Sequence, residues 1–212
     1  MPTWLPVNLS VFLLAALVLL LTPGPAVMYI VTRSIHQGRA AGLTSVVGIE
    51  LGNTVHVLAA TLGLSAILLT SAVAFSVVKY AGAAYLVYLG VRTLLSPTAS
   101  APADEPRKSL RQTFSQGVVV AVLNPKTALF FLAFLPQFVD PSRGSVTAQF
   151  LTLGILFVSM AVVTDSLYAL LAGTAGHWLK GTRSFVRAER YVVGSVYIGL
   201  GVTAALGSTH RQ

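Results

Sequence analysis

The sequence contains no cysteine, and this absence excludes a disulfide framework, a thiolate metal site and a cysteine nucleophile. Charged residues are also scarce, because Asp, Glu, Lys and Arg make up 9% of the 212 residues, against about 25% in soluble domains. None of the residues from 1 to 32 carries a charged side chain, and hydrophobic residues reach 55% of the chain. This composition predicts a polytopic membrane protein and leaves no soluble domain of useful size.

Six segments are long and apolar enough to cross a bilayer, which takes about 20 residues in a helix. They cover residues 7–32, 41–69, 72–95, 113–138, 147–173 and 191–208. A polar stretch rich in Ser, Pro and Ala, 96–112, separates the first three segments from the last three. We therefore predict an all-α membrane protein with a single polytopic domain, divided into repeat one (1–95), a cytoplasmic linker (96–112) and repeat two (113–212).

The net charge of +8 is concentrated in alternate connections between these segments. Ten of the fourteen Lys and Arg residues lie at the connections between segments one and two, three and four, or five and six, with Arg92 in the last turn of segment three. Cytoplasmic loops of membrane proteins carry such an excess of positive charge. We therefore expect both termini on the non-cytoplasmic side, basic loops that contact membrane lipid, and no nucleic-acid partner.

The two halves share a sequence pattern. Lys79-Tyr80 followed by Leu89-Gly90-Val91 recurs 111 residues later as Arg190-Tyr191 followed by Leu200-Gly201-Val202. Because each half has an odd number of spans, the halves would insert with opposite orientations. Inverted repeats of this kind are typical of secondary transporters, whose substrate sites lie near the repeat interface.

The first and fourth segments contain helix-breaking motifs, Pro23-Gly24-Pro25 and Asn124-Pro125. Proline lacks a backbone N–H and clashes with the preceding turn, so neither helix can continue regularly through its motif. Broken backbone within a bilayer is tolerated only where protein or a water-filled cavity surrounds it. Each break is therefore a candidate ligand site, with a packing kink as the alternative. The free N–H groups of a helix that begins at Pro25 or Pro125 favour a carboxylate.

Two acidic residues lie within apolar segments, Glu50 in the second and Asp165 in the fifth. An ionisable residue inside a span is costly to bury and is a functional-site hypothesis by default. At 1.5 Å per residue both lie roughly 12–14 Å from the cytoplasmic edge, in the same layer as the two breaks. We expect one or both acids to carry a proton or to bind a substrate amine. The alternative is a paired or protonated Glu50 that locks two helices together.

The second segment also has polar and small residues at regular spacing. At 100° per residue, an arc of about 120° contains Glu50, Asn53 and His56. We predict that this arc faces a cavity and that Gly48, Gly52 and Gly63 form an opposite face for close helix packing. For His56 itself, a hydrogen-bonded packing histidine is the favoured interpretation over a group that faces the cavity.

A lysine, Lys126, directly follows Pro125 inside the fourth segment. We expect its ammonium group to pair with Asp165 or Glu50 or to attract an anionic group of a substrate. Snorkelling toward an interface is the alternative, although the depth of the residue disfavours it.

The motifs of several enzyme classes are missing. The four histidines, His36, His56, His177 and His210, lack the spacing of metal ligands, and no Ser/His/Asp arrangement or Gly-rich phosphate loop is present. We therefore expect a chain that is not an enzyme, with no cofactor, no metal site, no catalytic residue and no step driven by ATP. Protons are the expected coupling ions, because carboxylates load and release them across membranes.

Together these motifs resemble the LysE/RhtB family of amino-acid exporters, in particular its threonine and homoserine exporters. The match runs through Leu21-Thr22-Pro23-Gly24-Pro25, Gly38-Arg39-Ala40-Ala41-Gly42 and Gly48-Ile49-Glu50-Leu51-Gly52. Leu123-Asn124-Pro125-Lys126 and Pro136-Gln137-Phe138 are similar to a second signature of the family. The resemblance covers nearly the whole chain. It implies a six-span protein of the bacterial inner membrane that exports small amino acids or their derivatives against protons, and it leaves a homodimer open.

The predicted site combines both breaks with the buried acids. Substrate binding is expected from Thr22, Pro23, Gly24, Pro25, Asn53, Asn124, Pro125 and Lys126, and proton coupling from Glu50 and Asp165. The family often has an acid where this chain has Asn53, and Glu50, one turn earlier, is the residue that could stand in for it. A cation or metal-ion exporter with Glu50, Asp165 and His56 as ligands is the alternative function. An intramembrane enzyme or structural scaffold is a third class, which leaves the paired breaks unexplained.

Overall fold

The computed structural model describes residues 8–64, 66, 71–95 and 108–179, together with positions 191, 195, 198, 199, 202 and 205. These residues are helical almost throughout, and no strand occurs among them. The α-helices are α1 (Leu9–Leu21), α2 (Pro25–Gln37), α3 (Arg39–Ala59), α4 (Ala72–Leu95), α5 (Leu110–Val122), α6 (Pro125–Leu129) and α7 (Val146–Leu179). A π-helix (Ala60–Leu64) extends α3, and α6 is extended by a π-helix (Phe130–Phe134) and a 3₁₀ helix (Leu135–Phe138). A second 3₁₀ helix (Pro141–Arg143) precedes α7.

The predicted break at Pro23-Gly24-Pro25 is confirmed. α1 ends at Leu21, and α2 begins at Pro25 with its axis bent by 48° from that of α1. Gly24 between them has an extended backbone (φ −149°, ψ −173°). Pro25 occupies the first helical position, where its missing N–H has no partner to lose. α1 and α2 are therefore two parts of one interrupted segment.

The predicted break at Asn124-Pro125 is also confirmed. α5 ends at Val122, and α6 begins at Pro125 with Asn124 as its N-cap. α6 has five residues before the backbone widens into the π-helix Phe130–Phe134. Short π-helices occur frequently at functional sites, because they shift the side chains that follow them around the helix axis.

α3 packs against α2, α5 and α7, and two of its glycines allow the approach of α5. A Cβ atom at Gly52 would lie 2.5 Å from the Cβ of Ala121 and 2.8 Å from the carbonyl oxygen of Val118. Gly48 likewise faces the backbone of Phe114 on α5. The predicted small-residue face is therefore confirmed at these two glycines. The prediction is wrong for Gly63, where a Cβ would meet no atom within 4 Å.

The interpretation of His56 as a hydrogen-bonded packing histidine is confirmed. The ring donates from Nε2 to the carbonyl oxygen of Ala121 on α5 (3.0 Å) and stacks on Phe131 with ring centroids 6.2 Å apart. Because His56 follows Gly52 by four residues, about one helical turn, it points toward the same neighbouring helix as that glycine. His56 is thus a packing histidine, and the polar face of α3 consists of Glu50 and Asn53.

A cluster of phenylalanines fills the space between α1, the irregular helix after α6, and α7. Its ring centroids are 5.4 Å apart between Phe12 and Phe138, 5.2 Å between Phe130 and Phe157, and 5.1 Å between Phe134 and Phe138. All five rings are buried. Burying a side chain of this size contributes about 1.5–3 kcal/mol, and each ring pair adds about 0.5–1.5 kcal/mol. This cluster holds the irregular helix in place.

The chain is a multi-pass membrane protein. Within the described ranges, three helical segments are long and apolar enough to cross a bilayer, Arg39–Leu64, Leu110–Phe138 and Val146–Thr174, and the bent pair α1–α2 makes a fourth if it forms one span. Large apolar side chains such as Leu14, Leu62 and Val163 are 60–70% exposed, as expected for surfaces that face lipid.

The helix bounds differ from the predicted spans mainly at their ends. α2 and α7 run beyond the predicted ends at 32 and 173, and α5 begins within the last residues of the predicted linker. The rest of that linker (96–107), most of the predicted sixth span (191–208) and the repeated motif at Arg190 and Leu200 lie outside the described residues. The six-span inverted repeat therefore stays a prediction.

Candidate functional site

The break after α1 leaves two backbone carbonyl groups that side chains from other helices satisfy. In a continuous helix the carbonyl oxygen of Leu21 would accept from the N–H of residue 25, but Pro25 has none. The hydroxyl of Tyr168 on α7 donates to this oxygen (2.8 Å). The next carbonyl oxygen, of Thr22, accepts from the Nζ of Lys126 (2.5 Å). The C-terminal end of α1, which carries the negative end of the helix dipole, is thus capped by an ammonium group and a phenol.

Lys126 therefore joins the two breaks directly. Its side chain is 5% exposed and lies across Gly24, where a Cβ atom would stand 3.1 Å from Cδ and 3.6 Å from Nζ. A glycine at this position leaves room for the lysine stem. The ammonium group is buried between the broken segments, and so the alternative in which Lys126 snorkels to an interface is wrong.

Asn124 fixes the direction in which Lys126 projects. Its Oδ1 accepts from the backbone N–H of Lys126 (3.1 Å), and its Nδ2 donates to the Oγ1 of Thr127 (3.1 Å). This is an N-cap, in which a side-chain oxygen satisfies an N–H that the helix itself leaves open. One of the N–H groups that the sequence predicted to be free for a carboxylate is therefore already bonded within the chain.

The helix start at Pro25 is different. Its N-cap is Gly24, which has no side chain to cap α2, and the first turn of α2 contains no acidic residue. The positive end of the α2 dipole lies beside the ammonium group of Lys126, because that side chain crosses Gly24. Together they form the part of the site best suited to an anionic group.

The two buried acids are also brought together. Glu50 on α3 is 7% exposed and Asp165 on α7 is 4% exposed, and their carboxyl groups are within hydrogen-bonding reach of each other. Because a carboxylate can only accept, a hydrogen bond between two carboxyl groups requires a proton on one of them. Asp165 is in addition attracted by the charge of Lys126. The acid pair and the Lys126 contact therefore belong to one site.

Asn53 holds Glu50 in this position. Its Nδ2 donates to Glu50 Oε2 (3.1 Å) one turn earlier on α3. Two acceptor atoms of this pair, Glu50 Oε1 and Asn53 Oδ1, are buried and receive no hydrogen bond in the described part of the chain. Buried acceptors without a donor cost free energy, so this part of the site is suited to a proton or to a donor-rich group such as an ammonium.

The structure thus brings both acids and Asn53 into one buried region with four of the predicted residues of the breaks, Thr22, Gly24, Asn124 and Lys126. Of the three prolines, Pro25 is exposed, and Pro23 and Pro125 are partly exposed. Tyr168 is a member that the sequence reasoning missed. It lies three residues after Asp165, on the same face of α7, and that spacing was the available signal. Among the described residues, no three His, Cys, Asp or Glu side chains lie close enough together to hold a metal ion.

Comparison with known proteins places the chain among membrane transport proteins. The model of the family described as "LysE type translocator" matches residues 17–208. A homoserine/homoserine lactone efflux protein of Salmonella typhimurium is 30% identical over 195 residues, which cover 92% of this chain and 94% of the relative. A relative from Vibrio cholerae, described as an uncharacterized membrane protein, is 31% identical over 197 residues, 92% of this chain and 94% of the relative. No solved structure gives a significant match.

Proposed function

Since the chain belongs to the family of LysE type translocators, we propose that it exports small amino acids or their derivatives across the bacterial inner membrane in exchange for protons. The proposal includes six spans in two inverted repeats (1–95 and 113–212), a cytoplasmic linker (96–112) and both termini outside the cytoplasm. The distribution of Lys and Arg supports this orientation.

The proposal is carried by one observation: the acid pair, Glu50 and Asp165, lies next to Lys126, which contacts the first break at Thr22. An α-amino acid has an ammonium and a carboxylate on one carbon atom, and the site offers a partner for each. Glu50, Asp165 and Asn53 supply acceptors for the ammonium group. Lys126 and the start of α2 supply positive charge for the carboxylate.

The names of the Salmonella relatives support the ammonium group as the main recognition element. These proteins are described as exporting homoserine and homoserine lactone. Both molecules have a primary amine, whereas the lactone has no free carboxylate. In this chain the acid pair would accordingly provide the essential contact, to the ammonium group. Lys126 and the start of α2 would provide an additional contact, to the carboxylate of those substrates that have one.

The exchange of substrate for protons follows if a proton and the substrate ammonium group compete for the acid pair. The pair shares a proton when no substrate is bound, and a substrate ammonium placed between the carboxyl groups takes over the role of that proton. Substrate and proton then bind alternately, and alternate binding at one site couples the flow of one to the counterflow of the other. Glu50 and Asp165 are the proton-coupling residues of this scheme.

The proposal predicts amino-acid accumulation driven by a pH gradient. Inside-out vesicles that contain the protein, with an acidic lumen and the membrane potential held at zero, should concentrate labelled homoserine in the lumen. For an exchange of one proton per substrate the limit is about tenfold per pH unit, because each unit stores about 1.36 kcal/mol. A protonophore should remove the gradient and the accumulation together.

Two outcomes would contradict the proposal. Uptake that only equilibrates homoserine, threonine and other small amino acids would exclude proton exchange. A divalent cation that raises the melting temperature of the purified protein, while the amino acids have no effect, would favour the cation exporter.

A further inference from the structure

We infer that Asn53 restricts the substrate to compounds with a primary ammonium group, so that secondary amines such as proline and N-methylated amino acids are rejected. This inference rests on the proposed function and deepens it, because it concerns which amines can bind at the acid pair. It is carried by two buried oxygen atoms that receive no hydrogen bond from the residues that the structure describes, Glu50 Oε1 and Asn53 Oδ1.

The hydrogen bond between Asn53 and Glu50 determines which of their atoms are left as acceptors. Asn53 Nδ2 donates to Glu50 Oε2 over 3.1 Å. Because an ionised carboxylate can only accept, the amide of Asn53 must turn its nitrogen toward Glu50, and its oxygen is left to accept from another group. Each of the two remaining oxygens belongs to a group that this bond joins, so the two oxygens lie close together.

These oxygens are shielded from bulk solvent, since Glu50 is 7% exposed and Asn53 is 4% exposed. A buried acceptor without a donor costs free energy, and a ligand that brings the donor removes that cost. The carboxyl group of Asp165 on α7 lies within hydrogen-bonding reach of Glu50 and adds an acceptor from a second helix. The site thus offers three acceptor groups to an amine, from Glu50, Asn53 and Asp165.

A primary ammonium group has three N–H donors, one for each of these acceptor groups. Methylation of the nitrogen leaves two donors and places a methyl group where the third N–H would point. One buried oxygen then remains without a donor, so we expect a secondary amine to bind about thirtyfold more weakly than a primary amine of equal size. Both amines carry one positive charge, and the comparison is therefore independent of the charge balance of the site.

Isovaline and N-methyl-2-aminobutyrate provide a matched pair for the test. They are isomers that add one methyl group to 2-aminobutyrate, at Cα in isovaline and at the nitrogen in the other compound. Each competes with labelled homoserine for exchange in vesicles, and we expect isovaline to inhibit at about thirtyfold lower concentration. Equal inhibition by the two isomers, whether strong or weak, would overturn the inference and leave the proposed function intact. Absence of any homoserine exchange would count against the proposed function itself.

Two variants separate the acceptor role of Asn53 from its support of Glu50. Asn53→Ala removes the acceptor, and the difference between the isomers should shrink to about threefold or less, because the lost partner takes its share of the discrimination with it. If Asn53 only positioned Glu50, the variant would weaken both isomers alike and keep the difference, and this result would contradict the inference.

The control variant is Thr54→Val on the same helix, where the hydroxyl of Thr54 donates to the backbone carbonyl oxygen of Glu50 (2.9 Å). It should keep the natural difference between the isomers, because it removes no acceptor from the site. If Asn53→Ala does not fold, the comparison of the two isomers in the natural protein decides the question alone.

Discussion

Replacing Asp165 by Asn is expected to abolish the pH-driven accumulation of homoserine in inside-out vesicles. Asn has nearly the shape of Asp but cannot take up or release a proton, so the acid pair would lose one of its two titratable members. Asp165 also provides the carboxylate that is attracted by Lys126 and that lies next to Glu50. The ratio of homoserine concentrations inside and outside the vesicles should fall from about tenfold per pH unit to about one, the ratio reached without coupling to protons.

The matched control is Asp140→Asn, which makes the same chemical change in the connection before α7. The carboxylate of Asp140 accepts from the N–H and hydroxyl of Ser142 and lies 3.4 Å from Arg143. This variant should accumulate homoserine like the natural protein. If Asp165→Asn also does so, Asp165 has no part in coupling.

The double replacement of Pro23 and Pro25 by Ala should lower the affinity for substrate without unfolding the protein. Alanine favours the helix and restores the N–H groups that proline lacks. The carbonyl oxygen of Leu21 can then accept a bond within the helix, which displaces Tyr168, and the region around Thr22 closes against Lys126. The substrate carboxylate would then lose its charge-assisted contacts with Lys126 and the start of α2, and such contacts are about twice as strong as neutral ones. We therefore expect the homoserine concentration for half-maximal exchange to rise about tenfold or more.

A proline outside the site serves as the control for this variant. Pro141 begins the 3₁₀ helix Pro141–Arg143 and is exposed, so Pro141→Ala should leave exchange unchanged. The melting temperature reports separately on folding. An unchanged affinity in a folded Pro23/Pro25 variant would show that the first break serves packing alone.

Both breaks were predictable from the sequence because they depend on local backbone chemistry. Proline at positions 23, 25 and 125 removes donors whatever the rest of the chain does. The family was also identifiable from these motifs, and that identification is confirmed by the match over residues 17–208. The depth of Glu50 and Asp165 was predicted from counting residues, but their contact depends on how α3 and α7 pack, which spacing alone does not specify.

The errors arose where local rules were applied incompletely. Residues four apart in a helix are neighbours, so His56 packs against the same helix as Gly52. This agrees with its interpretation as a packing histidine, but it means that the polar arc of Glu50 and Asn53 does not extend to His56. The N-cap preference of Asn indicates that Asn124 would bind the N–H of Lys126 rather than leave it free. Tyr168 was missed because its partner, the carbonyl of Leu21, becomes available only through the absent N–H of Pro25.

The central claim is that a substrate ammonium and a proton exclude each other at Glu50 and Asp165. Homoserine added to the purified protein in weak buffer with a pH-sensitive dye tests it most directly, because binding linked to deprotonation must release protons. We predict the release of about one proton per bound homoserine, and none from Asp165→Asn. Saturable homoserine binding to the natural protein with no release of protons would contradict the account.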